Sequence, residues 1–392
     1  MNISELYFNK LVQLQMKYPK QMYSKFSSAA ANIAALVGNP SAKYLKGFKF
    51  STAPPLAKQI GDIQLALNRD LLDVTKAGIS EAWNLSIAKN DLIFKGMSVM
   101  QEEAIEARRE AALAAFIGRG QGTDTLSARV WQIAEQARVE MELHLAYGIH
   151  NGLSAGEISR NIRQYLINPD ALFRRVRDKK TGKLVPSKAM AAYRPGRGVY
   201  KSAYKNAVRV ARTETNMAYQ MADHLRWMDM DMVIGIRIAL SGSHPEYKFL
   251  EICEELAGDY PKSFVFTGWH PQCLCHVTPI MTPEDSLRKF LRGETSKMKP
   301  HQIKELPSNF VNYVQNQSDK LGNMENPPYW LKNNARQIEE TLKKQGWSPK
   351  EVITKAAAET PPMASTITAW RNFKNTGQSM RSSSGRKGTL HY

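Results

Sequence analysis

Cysteine is scarce in this chain, with three among 392 residues. A disulfide-stapled scaffold is therefore excluded. Long apolar runs are missing as well. The nearest candidate, residues 29–37, is short and broken by Asn32, whereas a membrane-crossing helix needs about 18 or more apolar residues. The N-terminus, MNISELYFNK, has no basic cluster leading into an apolar stretch. Neither a secretory signal nor a membrane span is expected. Acidic residues are in deficit: 36 Asp and Glu stand against 54 Lys and Arg, a formal charge of +18. Such a field attracts polyanions and repels copies of itself. With 43% apolar residues, collagen, a mucin stalk and a wholly disordered chain are excluded. The length suggests two or three domains at about 150 residues each.

The charge is unevenly spread. Residues 1–58 hold eight lysines and one acid, Glu5. Residues 159–212 hold fifteen Lys and Arg against Asp170 and Asp178, a net +13. Residues 214–260 reverse the sign, with nine acids against Arg226, Arg237 and Lys248. Residues 374–392 carry four cations and no acid. A block as basic as 159–212 exceeds what a solvated helix face needs, and suits phosphate or an acidic protein. Its expected nucleic-acid contacts are Arg174, Arg175, Arg177, Lys179, Lys180, Lys183, Arg194, Arg197, Lys201 and Lys205. The alternative is that the basic and acidic halves of the chain pair with each other.

The apolar periodicity is mainly helical, so the fold class expected is α+β, predominantly α-helical. Leu56, Ile60, Ile63, Leu67, Leu71 and Val74 lie on one helix face, beginning just after Pro54-Pro55. Residues 102–117 are rich in Ala, Glu and Arg, all good helix formers. Leu126, Val130, Ile133, Ala137, Met141 and Leu145 repeat the 3–4 spacing. Ser154-Ala155-Gly156-Glu157 reads as a capping box for a short helix through Tyr165. Residues 173–177 and 183–185 flank Asp178-Lys179-Lys180-Thr181-Gly182 as a β-hairpin. A helix is expected over 202–228, strands over 233–240 and 263–267, and polar helices after Met281. The segmentation is then 1–122, a basic helical region; 123–232, a helical core with the hairpin; 233–283, a small acidic Cys/His subdomain with little core; 284–372, a helical region; and 373–392, a flexible basic tail.

All three cysteines, Cys253, Cys273 and Cys275, fall within 23 residues. Random placement would do this roughly once in a hundred sequences, so the grouping needs a cause. His270 lies in the same window, and His-x2-Cys-x-Cys offers an imidazole and two thiolates within a few residues. Zn²⁺ takes four such ligands tetrahedrally, and a site with four protein ligands is structural. Cys253 is the best fourth ligand, with His244 and His276 as alternates. Buried free thiols are the plain alternative. A redox pair lacks the Cys-x2-Cys spacing. No catalytic residue is expected. Gly118 to Gly122 has no phosphate-loop context, and Arg212 and Glu214, two apart on a helix, point to different faces. His144, His150 and His224 have no ligand or triad spacing.

Four stretches, FRRVRD (Phe173 to Asp178), GVYKSAYKNAVRVARTE (Gly198 to Glu214), YPKSFVFTGWHPQCLC (Tyr260 to Cys275) and PPYWLKNN (Pro327 to Asn334), resemble phage Mu F-like minor head proteins, also called phage head morphogenesis proteins. The likeness is to the versions from Bacteroidetes phages and prophages. It covers about residues 125–280, and more loosely to about 345. The resemblance implies a minor capsid protein of the virion, present in multiple copies at the portal vertex and capsid interior, after assembly in the host cytoplasm. Its implied partners are the portal protein, the major capsid or scaffold protein, and double-stranded phage DNA bound without sequence preference. It carries the family's metal motif onto Cys253, His270, Cys273 and Cys275. Two positions depart from the pattern: Glu251 stands where Asp is common, and Leu274 where Arg is frequent. Competing functions are a phage-encoded nuclease or transferase using Arg212, Glu214 or His270, and a zinc-stabilised DNA-binding protein.

Overall fold

The structure is a computed structural model that describes residues 3–36, 53–95, 102–242, 252–292, 294, 301–324 and 326–372. His244 and the tail from 373 lie outside the described residues. The fold is α+β and mostly helical, with two small antiparallel sheets. In chain order it runs α1 (Ile3–Ala35), α2 (Pro54–Ile93), α3 (Glu102–Ile117), α4 (Leu126–His150), α5 (Ala155–Ile167), β1 (Arg175–Arg177), β2 (Leu184–Pro186), α6 (Lys188–Ala192) and α7 (Ala203–Met228). Then come β3 (Val233–Leu240), α8 (Ile252–Glu255), β4 (Gly258–Tyr260), β5 (Cys275–Met281), α9 (Glu284–Leu291), α10 (Ser308–Asn316), α11 (Ser318–Gly322), α12 (Tyr329–Lys344) and α13 (Glu351–Ala358). No helix among the described residues is long and apolar enough to cross a membrane.

The chain divides into two compact units assembled from separated segments. The first, helical unit takes residues 15–78 and 120–212. Helix α1 falls within the region 1–122 expected to be helical, although lysines and Pro19 obscure its apolar face in the sequence. Its part in this unit buries Tyr18, Met22, Phe26, Ala30 and Ile33 at helical spacing. Proline inside a helix removes the N–H that would bond the carbonyl four residues back. Here that carbonyl belongs to Gln15, and it accepts from Arg212 Nε at 3.3 Å instead. The capping box at Ser154 forms with both of its hydrogen bonds. The β1–β2 hairpin pairs Val176 with Val185, and most of its residues are exposed.

The second unit takes residues 1–14, 79–119 and 213–392. Its sheet has the order β4-β3-β5, with β3 antiparallel to both neighbours. The strand expected at 263–267 does not form. Phe264, Val265, Phe266 and Thr267 are all buried, without the alternation a one-faced strand requires. The Val265 N–H and C=O are both taken by the side-chain amide of Asn334, at 2.8 and 3.0 Å, so no neighbouring strand is needed. The third strand is instead β5, which contains Pro279. That proline sits on an edge strand, where a missing donor is tolerated.

The expectation of little core around the cysteines is also corrected. Residues of 233–277 share one hydrophobic core with Leu306, Phe310, Trp330, Leu331 and Ile353. Tyr260, Phe264, Trp269, Phe310 and Trp330 form its aromatic centre, with ring centroids 4.7–6.0 Å apart and several edge-to-face pairs. Elsewhere in this unit, a buried ion pair joins Lys89 to Asp223. Asp223 also accepts from Ser86 at 2.6 Å and Asn90 at 2.7 Å, which satisfies the carboxylate that burial would otherwise penalise.

Candidate metal centre

Two pieces of chain, around Cys253 and over 270–275, bring the cysteines and His270 together. Cys253 lies on the short helix α8, His270 and Cys273 on the loop after the aromatic segment, and Cys275 opens β5. The ligand atoms of Cys253, His270 and Cys273 all lie within 4.8 Å of one another. The Cys275 thiol adjoins this set, with Cys253 and Cys273 as its strongest electrostatic neighbours. All three cysteines are buried and reduced. The two alternates are not in the cluster. His276 points to the other face of β5 from Cys275, as strand alternation requires, and packs against Phe8. His244 lies outside the described residues.

The spacing suits a tetrahedral ion. The sulfurs of Cys253 and Cys273 are 3.8 Å apart. Two thiolates bound tetrahedrally at about 2.3 Å stand about 3.8 Å from each other. His270 Nε2 lies 3.0 Å from the Cys253 sulfur. The opposite ring nitrogen, Nδ1, is 2.9 Å from the Pro271 carbonyl. A carbonyl can only accept, so Nδ1 carries the proton and Nε2 presents its lone pair to the thiols. Metal-bound histidines are oriented in this way by their outer hydrogen bond.

The loop is shaped to hold that arrangement. The Cys273 N–H donates to the His270 carbonyl at 3.1 Å, closing a tight turn. Gln272, inside the turn, takes a positive φ of 63°. Gly268 takes φ 114°, a conformation that side-chain-bearing residues rarely adopt, and a Cβ there would crowd the Cys273 Cβ at 3.1 Å. Helix α7 supports the loop from one face. Thr213 Oγ1 accepts from the Gln272 N–H at 3.1 Å, and Gln220 donates to the Cys275 carbonyl at 3.3 Å. These two residues are seven apart, two turns along one helix side. The sequence reading missed both, although Thr213 lies within the ARTE motif.

Electrostatics within the cluster are uneven. Hydrogen bonds from Cys253, then Cys275, hold the Cys273 thiol well below its ordinary range despite burial, and the Trp269 and Cys275 amides help. The Cys275 thiol is pushed up, chiefly through Cys253 and Cys273 and then by burial.

The basic residues behave differently. Arg174, Arg175, Arg177, Lys179, Lys180, Lys183, Arg194, Arg197 and Lys205 are all exposed. The first six lie in or beside the hairpin, whose tip is closed by hydrogen bonds to Asp178. Asp178 accepts from the Lys180 and Thr181 N–H groups at 3.0 and 2.7 Å. Gly182 takes φ 69° to close the turn. Lys201 is the exception: its ammonium is half-buried and donates to the Met190 carbonyl at 2.6 Å. The remaining candidates for chemistry have structural partners. Arg212 bonds the Gln15 carbonyl, and Glu214 is buried with Arg119 at 2.5 Å. Comparison with known protein families, with curated proteins and with solved structures finds no match to this chain.

Proposed function

We propose that this chain is a structural minor head protein of a tailed phage, acting in head assembly at the portal vertex and carrying one structural Zn²⁺. One observation supports the reading above the rest. Of the four residues on which the family resemblance sets its metal motif, Cys253 brings its thiol to His270 and Cys273 from 17 and 20 residues away, and Cys275 adjoins them. Cys253, His270, Cys273 and Cys275 would hold the ion. Four protein ligands leave no open position for water, so the ion would contribute folding energy and no reaction.

The exposed cations of the hairpin supply the second half of the proposal. They would meet the phosphates of packaged DNA, positioning the protein without reading sequence. The test is genetic. The gene is deleted, the heads are examined by electron microscopy, and the defect is complemented in trans. Malformed or non-infectious particles on deletion are expected, with rescue by the wild-type chain and none by a Cys273→Ser, Cys275→Ser variant. Normal, infectious particles without the protein would overturn the assembly role. Nuclease or transferase turnover lost in Glu214→Ala without loss of fold would favour the enzymatic alternative.

A further inference from the structure

The second unit carries a cleft of about 410 Å³ on α12, remote in sequence from the hairpin. That volume falls within the ordinary range of small-ligand sites. Its lining is unusual in charge. Lys304, Lys332, Arg336 and Lys344 border it, with Glu340 as the only acid among the described residues of its lining. None of the four cations makes an ion pair among the described residues. Lys332 donates only to the neutral Asn326 side chain, and Arg336 Nε to the Ala357 carbonyl. Like charges gathered around a concave surface raise the local concentration of the opposite ion.

The floor of the cleft points the same way. Asn333 is 9% exposed, and its Oδ1 accepts from the Met363 N–H at 3.2 Å. That bond fixes the orientation of the amide, because only the oxygen can accept. The other end is therefore a donor, and Asn333 Nδ2 has no acceptor among the described residues. Its neighbour Asn334 is fully occupied in holding Val265 and the Trp330 carbonyl. A buried amide donor without an acceptor costs free energy, and Asn333 belongs to the lining of the cleft.

Lys332, Arg336, Glu340 and Lys344 follow one another at four-residue steps on α12, each next to the one before it, and all four line the cleft. Together they extend about 18 Å along its axis, at about 1.5 Å per residue. A single phosphate cannot reach all three cations. Three of the four cations are lysines, which serve as point charges for phosphate rather than as forks for a carboxylate.

We propose that this cleft binds a linear chain of phosphates, with Lys304, Lys332, Arg336 and Lys344 as the cationic contacts and Asn333 as a buried donor. The chemistry is shared by inorganic polyphosphate, the phosphate chain of a nucleotide and the backbone of a single nucleic-acid strand. The test is calorimetric titration of the full metal-loaded chain at physiological salt. Inorganic triphosphate, orthophosphate and a 15-nucleotide oligo-dT are the probes. Triphosphate is expected to bind one tight site, with orthophosphate at least roughly tenfold weaker. A Lys332→Gln, Arg336→Gln variant should weaken triphosphate by roughly tenfold, through loss of charge-assisted hydrogen bonds. An Arg174→Ala, Arg175→Ala, Arg177→Ala variant should leave that site unchanged.

Should the cleft pair fail to fold, Glu340→Gln decides. It removes the one acid and should tighten triphosphate by about threefold. Oligo-dT weakened by the cleft variants identifies a nucleic-acid strand as the source. Oligo-dT unaffected by them identifies a free polyphosphate. The proposal falls if triphosphate ignores the cleft variants, follows the hairpin variant, or binds no better than orthophosphate. It also falls if an oligo-glutamate peptide competes equally well.

Discussion

His270 shows how much one side chain's hydrogen bonding decides. Its Nδ1–H is engaged by the next residue's carbonyl, so the lone pair on Nε2 has a fixed direction before any ion arrives. One zinc per chain is therefore expected in metal analysis of the purified protein. Chelation should lower the thermal midpoint and expose three reactive thiols to a colorimetric thiol reagent. Cys273→Ser should lose the metal and several kcal/mol of stability, because ligand binding and folding share one free energy. A fully folded, metal-free chain that Cys273→Ser leaves equally stable would refute the centre. The spacing of His270, Cys273 and Cys275 made this cluster legible in the sequence. Thr213 and Gln220 were not, because their role depends on which face of α7 the loop meets.

Two elements carry a cost that neighbouring residues offset. In α1, Pro19 deprives the Gln15 carbonyl of its helical donor, and Arg212 supplies another. Arg212→Ala should therefore destabilise the chain by about 1–3 kcal/mol. Pro19→Ala restores the backbone donor, so the Arg212 loss should shrink in that background. Urea unfolding of the four chains in this double-mutant cycle measures the coupling, and strict additivity would show that the carbonyl is satisfied in some other way. The hairpin is the second such element. A lone two-stranded ribbon is marginal in water, and this one is held by the Asp178 turn while its cations stay solvated. Replacing Arg174, Arg175 and Arg177 by Ala should reduce the slope of log affinity against log salt for duplex DNA by roughly 2.7, if each meets one phosphate. An unchanged slope would leave these residues outside the DNA contact.

Across the molecule, buried titratable groups set opposing pH dependences. Burial pushes the Glu140 carboxyl from an ordinary 4.5 up to about 8. The folded chain thus holds a proton that the unfolded chain releases above 4.5. The resulting stability is complete below pH 4.5 and is lost as pH rises to 8, by about 5 kcal/mol at most. His144 and His224 are lowered by burial from 6.5 to about 4. The unfolded chain takes up those protons first, so each contributes stability above pH 6.5 that is lost as pH falls towards 4, up to about 3 kcal/mol apiece. Stability from these groups should peak near pH 6.5. Urea unfolding at pH 8, 6.5 and 4.5 tests the profile. Glu140→Gln should flatten its alkaline arm and raise stability at pH 8, since the amide keeps the acceptor oxygen for the Ala203 N–H. An alkaline arm that survives Glu140→Gln would assign it to another group.

Local periodicity was enough to determine α2, α4, α5, α7 and β3, because each carries its apolar face or its cap within its own residues. The clustering of the cysteines with His270 was likewise a property of the chain. Helix α3 and the β1–β2 hairpin were legible too, from helix-forming composition and a turn sequence, but other features were decided by tertiary structure alone. Residues 263–267 gave up a strand because the Asn334 amide, 69 residues away, takes the Val265 backbone. Helix α1 persists through Pro19 because Arg212 satisfies the carbonyl that proline abandons. The cleft on α12 required Lys304 to meet a row of cations 28 or more residues further along. Hydrogen bonds and charges between residues distant in sequence leave no period to read, so only the folded chain displays them.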